Sequence, residues 1–173
     1  MKYLMLLVVC LQLSCTGVPK DIVPIDNFDK QRFLGTWYEL ARLDHSFEKG
    51  LSHVTAEYSL RNDGGLKVVN TGFNSNKEQW QEAEGRAYFV KDETVGHLKV
   101  SFFGPFYGSY IVFKIDKANY QYAFVTSYNK DYLWLLSRTP QLSQELKADF
   151  IKAAEQYGFS TGDVIFVNHS QVE

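Results

Sequence analysis

In Val54-Thr55-Ala56-Glu57-Tyr58-Ser59-Leu60-Arg61-Asn62-Asp63-Gly64-Gly65-Leu66-Lys67-Val68-Val69-Asn70-Thr71-Gly72-Phe73, two β-rich runs flank the turn Asn62-Asp63-Gly64-Gly65. Asn, Asp and Gly tolerate the positive φ that tight hairpin turns need, so the segment reads as a β-hairpin. The same grammar recurs on both sides. Further runs fall at Trp37 to Leu43, Glu84 to Val90, Leu98 to Phe103, Ser109 to Ile115, Tyr120 to Ser127 and Tyr132 to Arg138. Asp116-Lys117-Ala118-Asn119 and Asn129-Lys130-Asp131 supply two weaker turns. Consecutive hairpins make an up-and-down meander, and closing eight strands into a barrel removes the edges an open sheet would expose. The expected fold class is therefore all-β: an eight-stranded antiparallel up-and-down barrel, whose interior is just wide enough for one small ligand.

One helix follows, entered through Thr139-Pro140 with Ser143 as N-cap and stopped by Gly158. Leu142, Leu146, Phe150, Ala154 and Tyr157 share one face, which should pack on the outside of the barrel. Val164 to Val167 reads as a short last strand. The 173 residues, 45% hydrophobic and 16% aromatic, suit one domain with a substantial core. A net charge of −2 with dispersed Lys and Arg offers no field for a nucleic-acid backbone, so nucleic acid is not an expected partner.

The N-terminus points to export. Lys2 precedes a charge-free apolar run from Leu4 to Leu11, too short to span a bilayer as a helix and suited to a signal peptide. Leu11-Gln12-Leu13-Ser14-Cys15 resembles a bacterial lipobox, with Gln12 where an aliphatic residue is usual. That resemblance implies cleavage before Cys15, acylation of its thiol and anchoring to the membrane through its acyl chains; Thr16, not Asp, follows, as in outer-membrane sorting. The expected organisation is residues 1–14 as signal peptide, 15–27 as lipidated N-terminus and tether, and 28–173 as the barrel domain. Tether character is read from the polar stretch Thr16 to Asn27, broken by Pro19 and Pro24. Both cysteines, Cys10 and Cys15, lie in this leader region, so the domain carries neither a disulfide nor a cysteine nucleophile.

Three motifs sharpen the plan. Gly35-Thr36-Trp37-Tyr38 looks like the G-x-W signature of the lipocalins, and Asp131 to Pro140 resembles the segment that bacterial lipocalins carry across the last long strand and into the helix. Asp44-His45-Ser46-Phe47-Glu48 and Val100 to Gly108 extend the likeness to the bacterial branch. In that family the arginine ending the last strand lies over the first-strand tryptophan, which implies a structural signature of Gly35, Trp37 and Arg138. Such a cation–π contact contributes roughly 0.5 to 2 kcal/mol.

Anchoring strand alternation on Arg138 turns Leu136, Trp134 and Tyr132 inward, and the phase from Trp37 turns Glu39 and Ala41 inward. A buried Glu39 must be tied to a donor or sit near a ligand head group. Within the aromatic loop Phe102 to Gly108, Tyr107 is the candidate ligand contact, and Phe102 and Phe103 divide between cavity and core. The resemblance implies binding, storage or transport of a fatty acid or lysophospholipid at the outer membrane. Burying a chain of about sixteen carbons is worth a gross ~12 kcal/mol, before ordering costs, at ~0.8 kcal/mol per CH₂.

Enzymatic chemistry lacks a constellation: His45, His53, His97 and His169 are scattered, without H-E-x-x-H, C-x-x-C or G-x-S-x-G spacing. No metal, haem or other cofactor is expected, and binding rather than catalysis is the reading. A lipid-anchored envelope interaction module with a side-chain-filled barrel is the alternative, a lipocalin-type enzyme working through a carboxylate such as Glu39 ranks behind it, and a homodimer stays open. The discriminator is whether the barrel is hollow.

Overall fold

The computed structural model describes residues 16–170; the expected signal peptide, Cys15 and the last three residues lie outside them. Strands β1 (Gly35–Leu43), β2 (Leu51–Leu60), β3 (Leu66–Asn74), β4 (Gln79–Phe89), β5 (His97–Ser101), β6 (Gly108–Ile115), β7 (Tyr122–Thr126) and β8 (Leu133–Ser137) each pair antiparallel with the next. β1 pairs with both β2 and β8, which closes the barrel. A ninth strand, β9 (Val164–Phe166), takes the side of β1 that β2 leaves after Tyr38. The hairpin read first from the sequence is present, with Leu60 opposite Leu66 and Gly64 at φ +83°.

β4 begins five residues before the expected Glu84, because Gln79 to Ala83 carry no apolar alternation yet pair with β3 through Asn74 opposite Gln79. Helix α1 (Lys30–Phe33), a single turn the sequence did not announce, is capped by Asp29, whose carboxylate accepts from the amides of Gln31 and Arg32. It drives Phe33 into the base of the barrel, where its ring lies tilted at 4.9 Å from that of Trp37 and its carbonyl accepts from the indole N–H.

Two apolar cores result. The inner one fills the closed end with Phe28, Phe33, Trp37, Leu66, Leu98 and Ala123 among others. The outer one lies between the barrel wall and helix α2 (Gln144–Gln156), with Ile111, Phe124, Leu135 and Phe150. Ser143 caps α2 by accepting from the Leu146 amide, and Gly158 at φ +71° ends it.

The segment read as a tether lies along the outside of the barrel. Ile22 and Ile25 are its buried residues; the Ile25 amide donates to the Val112 carbonyl at 2.9 Å and the Gly96 amide to the Ile25 carbonyl. Two isolated isoleucines are too few to show as a periodic pattern in a polar stretch.

Candidate functional site

Four loops, following β1, β3, β5 and β7, surround the open end of the barrel, and a cavity of about 440 Å³ runs from there down to Phe33. The barrel is therefore hollow. Val54, Val68, Leu98 and Val100 form its aliphatic wall, and Phe47, Phe103, Phe106, Tyr132 and Trp134 surround its mouth. Its volume falls in the range of about 300 to 1,000 Å³ typical of small-molecule sites.

The alternation read from Arg138 holds through β8. Trp134 and Leu136 line the cavity while Leu133 and Leu135 face the outer core, and Tyr132 follows at the mouth, its ring 5.9 Å from that of Trp134. Arg138 lies over Trp37 at 3.8 Å and donates to the carbonyls of Thr36, Arg32 and Leu34 at 2.7 to 2.9 Å. Gly35 sits beside it at φ +86°, a conformation that favours glycine and brings the chain under the guanidinium.

Along β1 the expected phase fails after Glu39. The register with β8 shifts between Glu39 and Ala41, so Leu40 and Ala41 both face the outer core and Arg42 turns inward. Ala41 does not line the cavity, contrary to expectation. Burial gives no alternation to mark the bulge, because Trp37 and Glu39 to Leu43 are all buried, Leu40 and Ala41 in the outer core. Tyr107 is also displaced: its ring lies outside the barrel, 5.2 Å from Lys99 Nζ and 5.8 Å from the Arg86 guanidinium. Phe102 packs against the inner core and lines the cavity as well, and Phe103 and Phe106 line the mouth.

The inward turn of Arg42 assembles a polar cluster that the sequence reading missed. Its Nη1 donates to Glu39 Oε1 at 2.8 Å, and Nη2 donates to the carbonyls of Glu48 and Leu51. Glu48, brought in by the loop after β1, accepts from the Trp134 indole at 3.1 Å and lies 3.0 Å from His45 Nε2. A charged residue inside an otherwise apolar strand, Glu39 followed three positions later by Arg42, was the available signal. Glu39 is thus tied to a donor, and it lines the cavity as well.

Burial, with the Glu48 charge next in weight, pushes the Glu39 carboxyl well above its ordinary value of 4.5, against the pull of Arg42. Burial likewise raises Tyr58 and Tyr110, so both phenols stay protonated; the Tyr58 hydroxyl donates to that of Tyr110 at 2.9 Å.

The raised Glu39 value has a sign. Its stabilising contribution is fully present below pH 4.5 and is lost as pH rises through the raised value. Urea unfolding of wild type and Glu39→Gln between about pH 4 and about pH 8 should show wild type losing stability relative to the variant as pH rises. A difference that stays flat with pH would mean that folding leaves the Glu39 carboxyl at its ordinary value.

The arrangement is a container: an apolar chamber with one buried polar cluster and an aromatic entrance, suited to a small hydrophobic molecule. Comparison with known proteins agrees. The model of the lipocalin-like domain matches residues 28–169. The outer membrane lipoprotein Blc of Vibrio cholerae is 55% identical over 154 residues, covering 89% of this chain and 90% of that protein. Its namesake in Escherichia coli K12 is 51% identical over 149 residues, covering 86% and 84%. Among solved structures, insecticyanin from the tobacco hornworm Manduca sexta superposes with a TM-score of 0.71 over 90% of this chain and 88% of its own; at 22% identity it speaks for the fold alone. The chain belongs to the lipocalin family, among its bacterial outer-membrane lipoproteins, and its fold is one that binds small hydrophobic ligands.

Proposed function

We propose that the barrel takes up a fatty acid or lysophospholipid, chain inward and head group at the mouth, while acylated Cys15 holds the protein at the outer membrane. The observation that carries this reading is the cavity's lining. Its deep wall is aliphatic and aromatic, and its charged lining residues, Glu39, Glu48 and Glu82, are all acidic. An anionic head group would find no lysine or arginine among those lining residues, and it gains by staying in water.

Two buried wall atoms without a hydrogen-bond partner, Asn70 Oδ1 and Ser101 Oγ, favour a ligand with polar groups beside its chain. A lysophospholipid's glycerol hydroxyl can donate to the first, and its ester carbonyl can accept from the second. The reading is one of binding without turnover, supported by the binding-protein character of the fold and by relatives named as lipoproteins. A filled barrel serving only as an interaction module does not accord with a hollow interior of about 440 Å³.

Displacement of a fluorescent fatty acid from the delipidated protein tests this. Trp134→Ala should weaken binding about tenfold to a hundredfold, as loss of a buried aromatic contact implies. Tyr107→Ala, outside the cavity, should leave it unchanged within about twofold. Insensitivity to Trp134, or loss of binding with Tyr107, would place the ligand elsewhere.

A further inference from the structure

The four most exposed aromatic side chains gather at one end of the molecule. Phe103 is 78% exposed, Phe106 74%, Trp80 55% and Phe47 58%; three of these line the mouth, and Trp80 stands beside it at the start of β4. The opposite end differs. Its turns present Asn62 and Asp63 after β2 and Lys117 and Asn119 after β6, with Leu60 as the exposed apolar residue nearby. Large rings held in water around a cavity entrance mark a surface that is covered in use, and aromatic belts are what protein surfaces present to a membrane interface.

The path of the N-terminal segment identifies what covers them. Phe28 bonds to Thr94 in the loop between β4 and β5, at the closed end. Ile25 bonds to Val112 further along β6, and the Gly17 carbonyl accepts from Ser109 Oγ at 2.7 Å. Ser109 is the second residue of β6, immediately inside the loop that carries Phe103 and Phe106. The segment therefore climbs the barrel from base to mouth. Cys15 is two residues beyond Gly17, a chain reach of at most about 7 Å.

We infer that the open end of the barrel rests on the phospholipid surface, with the β5–β6 loop seated in the head-group region, so that ligand passes between membrane and cavity without crossing water. This inference rests on the proposed acylation of Cys15 and adds an orientation to the proposed function. An anchor at the closed end of the segment would have left the mouth free to face away. Here the short link fixes the anchor and the mouth on the same side.

Nitroxide labels test it, because the described residues contain no cysteine and acylation blocks the Cys15 thiol. The lipidated full chain carrying Phe106→Cys or Asn62→Cys would be labelled and reconstituted in phosphatidylethanolamine and phosphatidylglycerol vesicles. The label at 106 should collide with a water-soluble nickel complex about fivefold or more less often than the label at 62, and with oxygen more often. Equal accessibility, or a protected label at 62, overturns the inference. So does spin–spin broadening between labels at 106, which would show a second copy covering the mouth. Fatty-acid displacement on the same protein without vesicles reports the cavity separately. A protected mouth on a barrel that binds no lipid would defeat the proposed function and leave the orientation standing, and the converse result would do the reverse.

Discussion

Ala83→Trp should lower affinity for a long-chain lipid about a thousandfold while leaving the fold intact. Ala83 lines the cavity opposite Asn70 on β3, midway along the barrel, and it is exposed to the open chamber rather than packed. An indole there enters free space, so the overpacking strain of a core substitution is avoided. It excludes the part of an acyl chain that would occupy that level. Losing about five buried CH₂ groups at ~0.8 kcal/mol each removes about 4 kcal/mol, or about a thousandfold in affinity. Fatty-acid displacement beside a thermal melt separates the two effects. Unchanged affinity in a folded variant would mean that the chain does not occupy the barrel.

The second large effect concerns stability. Arg138→Ala should cost about 3 to 5 kcal/mol, a large share of the ~5 to 15 kcal/mol that holds a domain folded. Its guanidinium satisfies the carbonyls of Arg32, Leu34 and Thr36 and covers the Trp37 ring, joining α1, β1 and the end of β8 at the base. Truncation leaves the partly buried Leu34 carbonyl without its donor, gives those of Thr36 and Arg32 over to water and uncovers the indole. Arg138→Lys should recover less than half, because an ammonium cannot reproduce the planar fork. Urea unfolding measures both, and a loss below about 1 kcal/mol for the alanine variant would reduce the contact to surface decoration.

Barrel, helix and last strand were legible because hairpin turns and the Ser143 and Gly158 boundaries are local chemistry, written in adjacent residues. Trp134, Leu136 and Glu39 were legible as cavity residues for a related reason: alternation carries a face assignment along a strand from one fixed point. Ala41 escaped because a single extra residue at the β1 bulge reverses the phase, and the odd spacing of Glu39 and Arg42 is the one trace that the bulge leaves in the strand. Arg42 and Glu48 escaped with it, since their meeting depends on that bulge and on the loop after β1 folding back to Trp134. Tyr107 lies in a loop, where no period specifies which way a ring points. The path of residues 17–27 along the wall depends on two isoleucines and on backbone bonds to β6, which sequence pattern does not encode.

Native mass spectrometry of the protein as extracted from the outer membrane tests the central claim most directly, with wild type and Ala83→Trp taken side by side. Wild type should carry one fatty acid or lysophospholipid per chain, identified in the solvent extract and regained on back-titration, and the variant should carry none. A wild-type barrel that emerges empty and ignores both lipid classes would contradict it.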